Sequence, residues 1–458
     1  MDESSGSRRS HLVTRPGPPP APDVATALAG AFLAAEEWSA PSLREAAAAC
    51  LGSRRRFVGP VVTAVLTAHL RAPRDAPREL AALILRVDGF EDTVRRASRR
   101  RPVRIAQLSP TTTVSRVADE RRPRVDTVAD LARLLGTDVG HLDWFADTKL
   151  WNRRAPAGPL HHYRYEWRQR PGRVPRLLEV PGLRLREIQR TVLDELLAPL
   201  PLHDAAHGFV AGRGARSGAA LHTGREVVIA LDLVSFFARV DGRRIYSVLR
   251  QAGLPEPVAH SATGLVTHAV PPAVLSAMPP GGTSDERFAL RRALAVPHLP
   301  QGAPTSPMLA NLAVRRLDSR LGGYARAAGA TYTRYADDLA FSGDAALAGR
   351  VDAFVRGVGR IVSDEGHRLN HAKTRVRRRG VRQTVTGIVV NESTTIGRRE
   401  YDRLRAILHN CAAYGPSSQN RAGHADFRAH LLGRIGWVES LDPDRGRRLR
   451  AEFARIAW

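Results

Sequence analysis

Thr331-Tyr332-Thr333-Arg334-Tyr335-Ala336-Asp337-Asp338-Leu339-Ala340-Phe341-Ser342 is the stretch on which the fold turns. Its flanks read as strands and its centre as a tight turn, which makes a hairpin with two adjacent carboxylates where the chain reverses. Alone the pair says little, because aspartates are common in solvated turns. Two other segments give it meaning. Val227-Val228-Ile229-Ala230-Leu231-Asp232 is an apolar run of strand length that ends in a carboxylate and is followed by Phe236-Phe237. Between them, Leu299-Pro300-Gln301-Gly302-Ala303-Pro304-Thr305-Ser306-Pro307 is turn-rich and leads into a helix start at Met308-Leu309-Ala310-Asn311-Leu312.

A strand ending at Asp232 beside the hairpin would gather carboxylates of the kind that nucleotidyl transfer needs. That reaction is an in-line displacement at phosphorus, in which two cations roughly 4 Å apart activate the attacking oxygen and stabilise the leaving pyrophosphate. Mg²⁺ takes hard oxygen ligands and keeps several waters, so a few carboxylates suffice, and Mn²⁺ suits the same donors. Asp232 and Asp337 are the expected bridging ligands, Asp338 an aid on the primer side, and the carbonyl of Leu233 a further oxygen.

In this order the motifs resemble the reverse transcriptases, and within them the bacterial retron type. The resemblance covers roughly residues 160–458, continuing through Leu369-Asn370-His371-Ala372-Lys373-Thr374-Arg375 and Val385-Thr386-Gly387. Gln301-Gly302-Ala303-Pro304 is closer to retron enzymes than to intron maturases, which usually carry Gln-Gly-Gly there. One signature departs: where the retron group commonly shows Asn-Ala-x-x-His, this chain has Gly218-Ala219-Ala220-Leu221-His222. The resemblance implies an α/β (α+β) right-hand polymerase, with a palm built on an antiparallel sheet and helical fingers and thumb, preceded here by an N-terminal all-helical extension. It implies that Phe237 sits under the sugar of the incoming dNTP and excludes a 2′-hydroxyl. Gln301 would contact the nucleotide or the template backbone, and Arg170 and Arg176 the nucleotide as bidentate phosphate clamps. Lys373 would protonate leaving pyrophosphate. His222 and Arg377-Arg378-Arg379 would touch nucleic acid. The expected partners are a structured non-coding RNA serving as template and primer, the RNA–DNA duplex product, dNTPs and an effector protein, with a part in antiphage defence. Two rival readings are another class of bacterial reverse transcriptase, intron-derived or defence-associated, and a non-catalytic RNA-binding protein on a polymerase fold.

Composition fits a polyanion partner. Net charge is +25, and of 70 Lys+Arg only Lys149 and Lys373 are lysine. A chain that uses arginine almost everywhere places a lysine where proton donation is expected, and arginine does not give up its proton at neutral pH. No apolar run is long enough for a membrane span, which points to a cytoplasmic protein without a membrane partner. Cys50 and Cys411 are too few for a disulfide framework or a zinc site. His161-His162 and the His203/His207 pair lack the helical Glu of a zincin and read as surface or backbone-bonded histidines.

Four segments are expected: a disordered basic, Pro-rich tail over 1–24, a helical region over 25–155, fingers and palm over 156–390, and a helical thumb over 391–458. Leu183 to Leu197 reads as an amphipathic helix with Leu185, Ile188, Gln189, Val192 and Leu196 on one side. Pro271 to Pro300 reads as an irregular surface insertion.

Overall fold

The computed structural model describes residues 19–69, 72–73, 76–100, 103–108, 123–155, 158 and 160–458. The chain divides into two compact units, the first comprising Met1–Glu120, Arg124–Val139 and Leu249–His260, the second chiefly Gly140–Val248 and Ser261–Trp458. Residues 1–18 of the expected tail lie outside the described residues; a helix already begins at Ala21, and Val24 is buried in it.

In the first unit, the helix Ala21–Leu33 packs on Ala40–Leu51 and Pro77–Leu85 through Leu28, Phe32, Leu43, Leu80 and Ile84. Phe57 and Phe90 meet edge to face with centroids 5.9 Å apart. The predicted helix near 126–135 forms as Val128–Leu134, opened by a Thr127–Asp130 capping box and followed by left-handed Gly136. Leu249–His260 comes to this unit from the middle of the chain, where the buried Glu256 carboxylate accepts the Arg78 backbone N–H at 3.0 Å.

The second unit holds the chemistry. Strands β1 (Tyr163–Arg170) and β2 (Arg173–Pro181) form a hairpin around Pro171-Gly172, and Gly172 takes the positive φ the turn requires. The amphipathic helix forms as Leu183–Thr191 and continues as a π-turn over Val192–Leu197, with the predicted apolar side buried. Pro271–Pro300 is not an irregular surface insertion. It contains helices Pro272–Ser276 and Ser284–Leu294, the latter started by a Thr283–Glu286 capping box, and Val270, Leu275, Leu290 and Leu294 pack on Leu177 of β2. Its prolines sit at helix starts and turns, where a missing N–H costs nothing.

A four-stranded antiparallel sheet forms the centre: β3 (Val227–Asp232), β4 (Thr331–Tyr335), β5 (Asp338–Gly343) and β6 (Arg375–Arg378), in the order β4-β5-β3-β6. Tyr332 stacks on its cross-strand partner Phe341, which meets Phe354 of the helix Val351–Asp364 edge to face. On the other face, Val228 and Ala340 join Val385, Ile388 and residues of the C-terminal helices Arg398–Tyr414, Phe427–Leu441 and Pro443–Ala454. Strands β7 (Thr384–Val385) and β8 (Ile388–Val389) form a small hairpin whose loop residues, Thr386 and Gly387, both have positive φ. Among the described residues no helix is long and apolar enough to cross a membrane.

Arg334, on β4, is fully buried. Its guanidinium grips both carboxylate oxygens of Asp318, equally buried on the helix Arg315–Ala327, at 2.8 and 2.7 Å, and Tyr332 donates to the same carboxylate at 2.8 Å. Removing one member leaves an uncompensated buried charge, so Arg334→Leu is expected to destabilise the protein by about 3–5 kcal/mol. Asp318→Leu should do the same, while the double replacement recovers a large part of the loss; urea denaturation followed by circular dichroism measures all three.

Candidate active site

The turn that joins β4 to β5 is built from its neighbours. Ala336 has φ +53, a left-handed conformation that a non-glycine residue rarely takes. Arg334 stabilises it by donating one N–H to the Ala336 carbonyl at 3.1 Å and another to Asn311 Oδ1 at 2.9 Å. Asn311 in turn donates to the Gly208 carbonyl at 2.9 Å. Gly208 lies so close that a Cβ there would be 2.8 Å from the Ala336 nitrogen, a contact only glycine avoids. His207 N–H donates to the Arg334 carbonyl and Arg334 N–H to the Ala205 carbonyl, which seats this loop along the outer edge of β4.

Across the sheet, Asp232 and Asp338 are register partners, so the strand pairing itself sets their carboxylates on one face. Leu233 N–H donates to the Asp337 carbonyl at 3.0 Å, tying the end of β3 to the turn. Lys373 Nζ lies 2.6 Å from Asp232 Oδ2, and Asn370 Nδ2 donates to Asp232 Oδ1 at 3.2 Å. Asn370 also donates its backbone N–H to the Asp232 carbonyl at 2.8 Å. Burial raises the pKa of Asp337, and the Asp232 charge adds to it while Lys373 and Arg176 oppose it. Asp338 is pushed up to about 6 by burial first and then by the charges of Asp337 and Asp232.

Carboxylates that raise one another's pKa mark a place where a cation is favourable. Among the described residues no three histidine, cysteine, aspartate or glutamate side chains close into a metal cage. That donor set suits a hard cation that keeps waters and takes part of its shell from substrate phosphates. Lys373 holds a positive charge against Asp232 in the same place.

The remaining predicted residues separate clearly. Phe236 is buried against His367, and its neighbour Phe237, in a 3-10 turn after left-handed Ser235, is partly exposed. The two rings are T-shaped at 5.5 Å. Arg176 on β2 acts electrostatically on Asp337, whereas the Arg170 side chain lies outside the described residues. Gln301 accepts the Glu179 N–H at 2.9 Å through its carbonyl, which lays its loop along β2. Arg377 lines a cleft of about 420 Å³ together with Tyr335, Asp338, Thr386 and His207. Arg378 bonds the Ala348 carbonyl and Arg379 pairs with Glu226 at 3.2 Å.

His222 corrects the prediction of a nucleic-acid contact. It is fully buried, with both ring nitrogens hydrogen-bonded, to Ser342 Oγ and Thr333 Oγ1, each at 2.7 Å, so it braces the β4–β5 hairpin from within the fold. Burial lowers its pKa to about 4, keeping the ring neutral. The departure at Gly218 has a local reason. A Cβ there would press on the His207 ring at 3.2 Å, and His207 is buried with its Nδ1 bonded to Ser217, not a surface histidine. Sequence reading missed Arg334, Asp318, Gly208 and Asn370. Its only available signal was the charge of Arg334, placed on the same strand side as Tyr332.

The raised Asp338 pKa has a measurable consequence. The folded, metal-free protein holds that proton up to about pH 6, whereas an unfolded aspartate releases it near ~4, so stability falls as pH rises through this window. Asp338→Asn removes the loss. In chelator the variant is expected to melt higher than wild type at pH 7, with the gain vanishing as pH falls to about 4, as read by differential scanning fluorimetry.

The reverse transcriptase (RNA-dependent DNA polymerase) family model matches residues 170–394. The chain is 40% identical over 332 residues to the retron Mx65 reverse transcriptase of Myxococcus xanthus, covering 70% of each chain. It is 35% identical to the retron Mx162 reverse transcriptase of the same organism, over 72% of this chain and 67% of the relative. With the retron Ec86 reverse transcriptase of Escherichia coli it shares 28% identity over 62% of this chain and 78% of the relative. With its cross-strand aspartates and these relatives, the chain belongs to the bacterial retron-type reverse transcriptases, RNA-directed DNA polymerases that are nucleotidyltransferases.

Proposed function

We propose that this protein copies a structured non-coding RNA of a retron into RNA-linked DNA, at a site made by Asp232, Asp337 and Asp338. The observation that carries this reading is the register pairing of Asp232 with Asp338, with Asp337 beside them in a strained turn. Two Mg²⁺ ions, or Mn²⁺, held by the three aspartates and the Leu233 carbonyl would activate the primer oxygen and screen the developing phosphate charge. The chain's own residues do the rest. Asn370 orients the Asp232 carboxylate. Phe237, the partly exposed member of its pair, would stand under the sugar of a dNTP and exclude a 2′-hydroxyl. Gln301, Arg176 and Arg170 form the nucleotide side, and Arg377, in the cleft beside Asp338, contacts nucleic acid together with Arg378 and Arg379.

The primer hydroxyl gives its proton to solvent water, and its oxygen forms a bond to the α-phosphorus as the bond to pyrophosphate breaks. Lys373, held inside the site by Asp232, gives its ammonium proton to the departing pyrophosphate oxygen. The helical segment before the polymerase is read as an appended N-terminal extension. The +25 net charge favours a polyanionic partner such as this RNA, and the protein acts in antiphage defence with an effector protein.

Asp337→Asn is expected to abolish DNA synthesis and leave RNA binding intact, because an amide is a much poorer ligand for a hard cation. Primer extension and filter binding on the same preparation measure both, and normal extension would overturn the metal assignment. Lys373→Arg keeps the charge on Asp232 but not an available proton, so single-turnover incorporation should slow about 100-fold with nucleotide affinity preserved. A wild-type maximal rate would reduce Lys373 to a fixed charge.

A further inference from the structure

Phe209 is an aromatic residue in a conformation that costs the protein energy. Its φ is +60, left-handed backbone that a bulky side chain rarely adopts, yet the residue is 51% exposed. The loop around it enforces this. Arg213 Nη1 donates to the carbonyls of His203, Asp204 and Ala206 at 3.1, 3.0 and 3.1 Å, and Nη2 reaches Asp204 Oδ1 at 3.1 Å. Gly208 is pinned between Asn311 and the Ala336 backbone. The next residue is therefore pushed outward, and its ring comes to rest 6.0 Å from that of Tyr335, tilted by 42°.

The position matters more than the strain. Tyr335 is the register partner of Asp338, and Asp338 of Asp232, so Tyr335 shares their face of the sheet and Phe209 extends the row at the outer edge of β4. An exposed ring beyond a row of reacting carboxylates suits a flat partner, and every nucleobase has a π face.

We propose that Phe209 is a nucleic-acid-binding residue of this site, its open face stacking on a base of the pair at the primer terminus. This rests on the reading of Asp232, Asp337 and Asp338 as the polymerase centre. The strand that supplies the base, template or primer, is separated by experiment.

Affinity for an RNA template annealed to a recessed DNA primer is measured by fluorescence anisotropy in EDTA, so the result does not depend on the metal ligands. Phe209→Ala should bind about tenfold more weakly than wild type, the size of one lost base–aromatic contact, and Phe209→Trp should restore affinity. If the alanine variant does not fold, Phe209→Gly, which relieves the left-handed strain, serves in its place with the same expected loss. The measurement is repeated with an abasic nucleotide at the primer terminus, or at its template partner. The deficit should vanish on one of these duplexes, and that duplex names the stacked strand. Equal binding by wild type and Phe209→Ala on the intact duplex, or an undiminished deficit on both abasic duplexes, overturns the proposal.

Discussion

The buried guanidinium of Arg334 is the constraint on which the site depends. It makes four hydrogen bonds, two to Asp318, one to Asn311 and one to the Ala336 carbonyl, and so connects the helices Ser306–Ala313 and Arg315–Ala327 to the turn that carries the carboxylates. A charge without solvent is tolerable only when its partners are complete, and that requirement makes the arrangement close to all or none. The left-handed backbone at Ala336 is held by this network and by the close approach of Gly208, not by any preference of alanine.

Against this rigid support stands an unfavourable cluster. The carboxylates of Asp232, Asp337 and Asp338 are brought together by β-pairing and partly withdrawn from water, and two of them have raised pKa values as a result. Lys373 offsets part of the repulsion at Asp232. The fold thus pays in local stability for a concentration of negative charge, the usual relation between a preorganised site and its scaffold. His222 takes the opposite part, a neutral polar residue buried with both ring nitrogens bonded, which makes the hairpin stiffer.

Membership among the retron reverse transcriptases accounts for the motifs, and the packing accounts for where this chain departs from them. Glycine at 218 makes room for a buried His207. Val385-Thr386-Gly387 is a hairpin loop whose two central residues need positive φ, with Val385 anchored in the core under the palm. The segment from Pro271 to Pro300 reads as irregular because six of its thirty residues are proline, yet a capping box and a Leu290–Leu294 pair are enough to make a packed helix.

Sequence by itself determined the kind of chemistry. An apolar run of strand length ending at Asp232 and strand-like flanks around Asp337-Asp338, in the right order around Gln301, identified the strands, their carboxylates and the family, because strand patterning and turn chemistry are local properties of the chain. Only the tertiary structure decided which residues hold that chemistry in place. Arg334 with Asp318, Asn311 with Gly208, and Asn370 with Asp232 join residues far apart in the chain, and no local pattern marks a charge as buried or a histidine as a brace. His222 and Phe209 show the point from both sides. Nothing in their neighbours along the chain says that the histidine is enclosed and the phenylalanine exposed, because burial is set by what packs on a residue from elsewhere.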